Sequence, residues 1–188
     1  MALPPGYPTA YEITRRLADG RRVQIRPILP SDGPELARAI QSADAATLRS
    51  RFLGAAPHVN GRLLDSLTRL DYTTRFALVA RARGRGIAVA RYAALPPYPD
   101  GKVAAELAIV VDPAWRRAGL ATLLVALLSQ RAHECGIDRF TAIFFSQNRP
   151  VVELARAVRA RVTVTNGTSQ LEIALGDAPI AGGIEAAS

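Results

Sequence analysis

The chain has 188 residues, 49% of them hydrophobic, which is enough for one sizeable core and too short for two ordinary domains. Its formal net charge is +8, but aromatic residues make up only 6% and are not interleaved with the basic clusters as a base-stacking surface requires. The composition therefore favours a solvated basic face over nucleic-acid binding.

The cysteine and histidine content also limits the class of protein. The single cysteine, Cys135, excludes an intrachain disulfide, and only His58 and His133 could join it in a zinc site. The N-terminus lacks the regions of a signal peptide, and the apolar stretch over 120–128 is too short to span a bilayer. We therefore expect a cytoplasmic protein with no bound metal and no membrane partner.

The first half of the chain predicts hairpins separated by helices. Asp19-Gly20 and Gly84 mark hairpin turns, and Pro34 after the capping-type residue Ser31 marks a helix start. The predicted elements are strands at 11–17 and 22–27, helices from Ser31, over 45–52 and over about 60–67, and strands at 75–83 and 86–95.

The second half alternates strands and helices. Residues 103–111 form a nearly continuous apolar run, which predicts a central strand covered on both faces. The following predicted elements are a helix at 118–135, a strand at 138–145, a helix at 149–159 and a hairpin of 161–165 with 170–175. We expect one domain over 11–175, a disordered N-terminus over 1–10 and a flexible tail over 176–188.

The strongest functional signal is the segment 110–122, where an apolar strand runs through a basic turn into a helix. The first turn of a helix leaves N–H groups without partners, and the helix dipole adds partial positive charge there. Small residues at Gly119 and Ala121 let the backbone approach a phosphate, and Arg116 and Arg117 add charge at the rim. The segment therefore predicts a pyrophosphate site.

The pattern Arg-x-x-Gly-x-Ala over 116–121 resembles the acyl-coenzyme A signature of the Gcn5-related N-acetyltransferase (GNAT) superfamily. The likeness covers nearly all of 22–175, and segments 48–52, 67–72, 76–80 and 105–111 are similar to bacterial Pat-type protein lysine acetyltransferases. This resemblance implies an α/β (α+β) fold with a mixed, mostly antiparallel sheet of six to seven strands, splayed middle strands and about four flanking helices. It also implies a catalytic domain without the regulatory domain that Pat enzymes often carry.

The resemblance implies acetyl-CoA as the cosubstrate and assigns residues to bind it. Backbone groups of Ile109, Val110 and Val111 would hold the pantetheine arm, although the same residues also suit a core strand. Asn148 either lies near the coenzyme arm or caps its own helix. The pyrophosphate would bind at Arg116, Arg117, Ala118, Gly119, Leu120, Ala121 and Thr122.

Glu106 is the one charge in the apolar strand, and a buried carboxylate without partners is strongly unfavourable. From the residues alone, Glu106 either pairs with an arginine, reaches solvent or takes part in chemistry. The resemblance implies the third reading, because Pat-type enzymes use a glutamate at the matching place as general base. It would take a proton, directly or through water, from the substrate ammonium.

The sequence departs from the family at the general acid. Many relatives carry a tyrosine in the helix after Asn148, whereas Ala155 stands at the matching position, which leaves Tyr72, Tyr92 and Tyr98 as candidate substitutes. Cys135 fits a buried small residue better than a nucleophile, so no covalent acyl-enzyme is expected.

The predicted function is direct transfer of an acetyl group from acetyl-CoA to a primary amine, with a protein lysine as the favoured acceptor. Two alternatives stay open: a GNAT enzyme acting on a small-molecule amine or peptide N-terminus, and a non-catalytic acyl-CoA-binding sensor. Asp65, Asp71 and Asp100 are candidates for an acidic acceptor groove, and each also suits a cap or turn.

Overall fold

A computed structural model describes residues 3–43 and 58–176. Its single sheet has eight strands: β1 (Ile13–Arg16), β2 (Arg22–Pro27), β3 (Arg75–Ala82), β4 (Arg85–Ala94), β5 (Ala104–Val111), β6 (Arg139–Phe145), β7 (Arg161–Thr165) and β8 (Thr168–Ala174). The described residues also contain four α-helices: α1 (Gly33–Ser42), α2 (Gly61–Thr68), α3 (Leu120–Glu134) and α4 (Arg149–Ala157).

The mixed α/β architecture is confirmed, but the sheet is larger than the six to seven strands expected. The first hairpin and the last hairpin both join the same sheet, which brings the total to eight. The helix expected over 45–52 lies outside the described residues.

The strand order is β1-β2-β3-β4-β5-β6-β8-β7, and every neighbouring pair except β5 and β6 is antiparallel. β5 and β6 are parallel, as a crossover through α3 requires. Their ladder runs only from Ala104 opposite Arg139 to Glu106 opposite Thr141. Beyond Glu106 the two strands diverge, so the sheet splits near its centre.

The two faces of the sheet have different coverings. Phe76, Tyr92 and Phe140 lie in one core cluster with the fully buried Leu124 and Leu128 of α3. Successive residues of a strand point to opposite faces, and Ala105 lies opposite Phe140. The next residue, Glu106, therefore projects from the face that α3 does not cover.

A disordered N-terminus was expected over 1–10; its described part is attached to the fold by Tyr7, while most of its other residues are exposed. The buried Tyr7 ring packs edge-on against the Tyr72 ring, with 5.4 Å between the ring centres, and the Tyr7 hydroxyl donates to the Glu12 carboxylate at 2.7 Å. Tyr11 then donates to Glu134 at the end of α3, at 3.1 Å. These aromatic contacts attach the proline-rich segment to elements far along the chain.

Asp32 joins β2 to the start of α1. Its buried carboxylate accepts two hydrogen bonds from the Arg26 guanidinium, at 2.8 and 2.6 Å, and one from the Leu29 N–H at 2.8 Å. Burial acts to raise the pKa of Asp32, but the hydrogen bonds from Arg26 and Leu29 outweigh burial and hold that pKa below its usual value. The pair thus fixes the corner where α1 leaves the sheet.

We expect Asp32→Asn to lower the free energy of unfolding near neutral pH by about 3 kcal/mol, because Arg26 then keeps a partly buried charge without its counterion. A depressed folded pKa stabilises the fold above the unfolded pKa of about 4 and loses that effect as the pH falls through the folded value. Urea unfolding at neutral pH and in acid measures this, and the gap between the two proteins should narrow in acid.

The control is Asp65→Asn, which breaks the exposed pair between Asp65 and Arg69. It should change the free energy of unfolding by less than about 0.5 kcal/mol, since exposed pairs contribute little. Equal losses in the two variants would contradict the role given to Asp32.

Candidate active site

The split between β5 and β6 opens into a cleft of about 1740 Å³. One wall is β5 from Glu106 to Val111, and the facing wall is β6 from Thr141 onward together with the start of α4. The loop between β5 and α3 closes one end. Its lining runs along β5 from Glu106 to the loop before α3, so the cleft suits an extended ligand better than a compact one.

The loop before α3 has the backbone shape of an anion site. Arg117 and Gly119 both have left-handed backbones, with φ of 61° and 81°. A Cβ on Gly119 would meet no heavy atom within 4 Å, so the space beside its backbone is open. The bond from the Leu123 N–H to the Gly119 carbonyl, at 3.0 Å, closes the first turn. The preceding N–H groups, over 120–122, have no intrahelical acceptor and suit a pyrophosphate.

Arginines surround this end of the cleft. Arg116 donates from Nε to the Val111 carbonyl at 3.2 Å, while the exposed Arg117 and Arg149 approach from the loop and from α4. Across residues 3–43 and 58–176, none of the three pairs with a carboxylate. Their charges are therefore available to an anionic ligand.

β5 supplies the main-chain wall. The expectation of a strand covered on both faces is met only at residues 104, 105 and 107, since Glu106 is exposed and residues 108–111 are half-buried. β4 pairs with β5 along its whole length, but β6 does not pair with it beyond Glu106. The β5 edge at Ile109, Val110 and Val111 can therefore hold an extended ligand through main-chain bonds, as an added strand would.

Glu106 lies at the vertex of the split, in the last residue pair of the β5–β6 ladder. Its side chain is exposed and lines the cleft. Within the described residues the Glu106 side chain has no ion pair or hydrogen bond. Of the two non-catalytic alternatives, the structure therefore favours contact with solvent over a pair with an arginine. The carboxylate can therefore reach a substrate.

Asn148 also lines the cleft, at the position before α4. Its carbonyl accepts from the N–H groups of Val151 and Val152, at 3.0 and 3.1 Å, whereas its side chain makes no capping bond. The side-chain capping alternative is therefore not observed, and the side-chain amide is available to a ligand.

The structure places none of the candidate general acids in the cleft. Ala155 is 1% exposed and faces the core. Tyr72 and Tyr92 are fully buried and donate to the carbonyls of Ile28 and Thr73, at 3.0 and 2.8 Å, and burial raises the pKa of both phenols. Tyr98 is exposed outside the cleft, with the Arg139 guanidinium 5.2 Å from its ring centre.

The acidic residues considered for an acceptor groove have local roles instead. Asp65 pairs with Arg69, and Asp100 accepts from the Lys102 N–H at 3.1 Å. Asp71 accepts from the N–H groups of residues 73 and 75. None of the three lines the cleft.

Sequence reasoning missed several cleft residues, among them Trp115, Arg149 and Glu153. Trp115 immediately precedes the signature, and the Arg21 guanidinium lies 4.0 Å from its ring centre. Glu153 follows Arg149 by four residues, which places both on one face of α4. The four-residue spacing of Arg149 and Glu153 could have been recognised in the sequence, whereas the contact of Trp115 with Arg21 depends on tertiary structure.

The described residues contain neither a membrane-spanning helix nor a metal-binding cluster. In that part of the chain no helix is long and apolar enough to cross a membrane. The same residues hold no group of three or more His, Cys, Asp or Glu side chains that could bind a metal ion.

The sequence model of the Acetyltransferase (GNAT) family matches residues 46–158. Acetyltransferase PA5475 of Pseudomonas aeruginosa is 30% identical over 146 residues, which are 76% of this chain and 76% of that protein. The chain therefore belongs to the GNAT acetyltransferase family. Enzymes of this family use acetyl-CoA, and the loop before α3 fits its pyrophosphate.

Solved structures share the fold. The GNAT domain of S. lividans PAT superposes with a TM-score of 0.81, covering 90% of this chain and 99% of that one, at 26% identity. The structure of yncA, a putative acetyltransferase from Salmonella typhimurium with its cofactor acetyl-CoA, superposes with a TM-score of 0.67. The match covers 85% of this chain and 98% of that one, at 21% identity. The first match confirms the resemblance to Pat, and the second is a likeness of fold.

We expect Gly119→Ala to weaken the binding of coenzyme A at least about tenfold. The left-handed backbone strains any side chain by about 1–2 kcal/mol, and the added methyl occupies the open space that a phosphate needs. Isothermal titration of coenzyme A measures the dissociation constant.

Gly136→Ala is the matched control at the other end of α3. Gly136 has a φ of 74°, and a Cβ there would also meet nothing within 4 Å. This variant should lose stability and keep its affinity for coenzyme A. If both variants bind as tightly as the wild type, the loop is not the phosphate site.

Proposed function

We propose that this chain transfers the acetyl group of acetyl-CoA directly to a protein lysine, with Glu106 as general base. The observation that carries the proposal is the place of Glu106, at the vertex of the β5–β6 split and at the opposite end of β5 from the phosphate loop. The strand between Val111 and Glu106 spans about 16 Å at the usual rise per residue. An elongated coenzyme bound at the loop would thus direct its acyl end toward Glu106.

The chain's own groups account for each step of the transfer. The Glu106 carboxylate takes a proton from the substrate ammonium, directly or through one water, and the neutral amine attacks the thioester carbonyl. A β5 main-chain N–H stabilises the negative charge that develops on the carbonyl oxygen. The carbon–sulfur bond then breaks, and the attacking nitrogen loses its second proton to water as the amide forms. The coenzyme leaves as a thiolate that takes a proton from water, since no tyrosine lines the described cleft.

The exposure of Glu106 suits this role. A base must return its proton to solvent after each turnover, and an exposed carboxylate exchanges with water without a relay of side chains. The side chain also projects from the face that α3 leaves uncovered, so an acceptor can approach it without displacing the core helix. These features support an acceptor presented on a protein surface.

The choice of lysine rests on the likeness to the GNAT domain of S. lividans PAT, at a TM-score of 0.81. The described residues offer no acidic groove beside the cleft for a polyamine, because Asp65, Asp71 and Asp100 are used in local pairs and turns. The carboxylates that line the described cleft are Glu106 and Glu153, and one carboxylate at Glu106 is compatible with a single lysine ammonium.

We expect Glu106→Gln to lower kcat about 10²–10⁴-fold, the range that general-base catalysis contributes, and to leave the affinity for coenzyme A within about twofold. Free-thiol release from acetyl-CoA measures turnover, with lysine-bearing proteins, small amines and no acceptor compared side by side. Glu153→Gln removes the other cleft carboxylate and should leave turnover nearly unchanged.

Each arm of this experiment has its own meaning. Release that depends on protein lysine and collapses only in Glu106→Gln supports the proposal. Faster release with a small amine would make the small molecule the substrate, and release indifferent to Glu106 would assign another base. Coenzyme binding without release for any acceptor would point to a sensor.

A further inference from the structure

The turn between β1 and β2 contacts the loop between β5 and α3, called the coenzyme loop below, at two carbonyls. The Ala18 N–H donates to the Ala118 carbonyl at 3.4 Å, and Nη1 of Arg21 donates to the Ala114 carbonyl at 2.8 Å. The Arg21 guanidinium also lies 4.0 Å from the ring centre of Trp115, which lines the cleft. The turn therefore contacts both sides of the segment that carries Arg116 and Arg117.

Arg21 is itself held in place by Asp19. The Asp19 carboxylate accepts from Nε of Arg21 at 2.6 Å and from its main-chain N–H at 3.0 Å. Hydrogen bonds from the Arg21 side chain hold the pKa of Asp19 below its usual value. One planar guanidinium thus contacts a carboxylate, a carbonyl and an aromatic ring at once, which the ammonium group of a lysine cannot reproduce.

The coenzyme loop needs support of this kind. Arg117 has a left-handed backbone, a conformation that persists in a side-chain-bearing residue only where the surroundings fix it. A loop that had to adopt this shape on binding would lose affinity, because ordering it would oppose association. The hairpin turn supplies fixed contacts on either side of Arg117, at Ala114 and Ala118.

We propose that Arg21 is a positioning residue for acetyl-CoA, holding the loop over 114–118 in the shape that binds the pyrophosphate. The family model begins to match at residue 46, so the β1–β2 hairpin lies outside the matched region. The proposal rests on the coenzyme site of the proposed function, but on neither the acceptor nor Glu106.

Two other accounts of Arg21 predict different results. As a surface ion pair, Arg21 would affect stability slightly and coenzyme binding not at all. As a bare positive charge, it would attract the phosphates from a distance, and any cation in its place would serve. The substitutions below separate these accounts from the positioning role.

The test compares the dissociation constants of coenzyme A for four variants by isothermal titration. Arg21→Ala should bind about tenfold more weakly, and Arg21→Lys should recover little of this loss. Asp19→Asn is the most discriminating variant, because it makes the turn more positive yet frees Arg21, so positioning predicts weaker binding and simple attraction predicts tighter binding. Arg22→Ala is the control, since the exposed side chain of Arg22 makes no hydrogen bond or ion pair within the described residues.

Two further readouts separate positioning from damage to the fold. Trp115 is the only tryptophan of the chain, so its fluorescence reports the loss of the Arg21 contact in Arg21→Ala, with no change in Arg22→Ala. In turnover assays the KM for acetyl-CoA should rise while kcat at saturation changes less than about twofold, as a ground-state binding defect predicts.

The proposal is overturned if Arg21→Lys binds like the wild type, if Asp19→Asn binds more tightly, or if Arg21→Ala and Arg22→Ala weaken binding equally. Failure of the wild type to bind coenzyme A would overturn the coenzyme site as well. Loss of turnover with intact coenzyme binding concerns only the proposed function.

Discussion

The parallel pairing of β5 and β6 ends at Glu106, and the rest of the site depends on that point. Up to Glu106 each strand satisfies the other's main-chain groups, and beyond it the two edges separate. Backbone groups inside a protein require partners, so two unpaired edges facing one cleft suit a ligand that brings its own amides. The split therefore determines where the coenzyme can lie and how its arm can be oriented.

The two ends of the cleft differ in charge, and this difference orients a bipolar ligand. Arg116, Arg117 and the N-terminus of α3 make one end positive, while Glu106 is the carboxylate at the other end of β5. In the proposed function the first end would hold the phosphates of the coenzyme, which would leave the acyl group near the carboxylate. The acceptor amine, itself a cation before it reacts, would be attracted to the second end.

Local sequence signals predicted most of the elements, because hairpin turns, helix starts and apolar stripes depend on near neighbours. The turns at Asp19-Gly20 and Gly84, the long α3 and the anion loop were all readable in this way. The family resemblance implied splayed middle strands, but local signals could not give the residue at which β6 leaves β5, because that point depends on contacts between segments far apart in the chain. For the same reason the apolar pattern could not show that Glu106 is exposed or that Ala155 faces the core. The contact of Arg21 with Trp115 joins residues far apart in the chain.

A crystal structure of Glu106→Gln with acetyl-CoA tests the central claim most directly, because slow turnover should preserve the thioester. The account predicts a pyrophosphate bound by the N–H groups over 117–122 and pantetheine amides bonded to the β5 edge between Leu107 and Val111. The acetyl carbon should then lie beside residue 106, within reach of one bridging water. A coenzyme bound away from the β5–β6 split, or an acetyl group on the α3 face of the sheet, would contradict it.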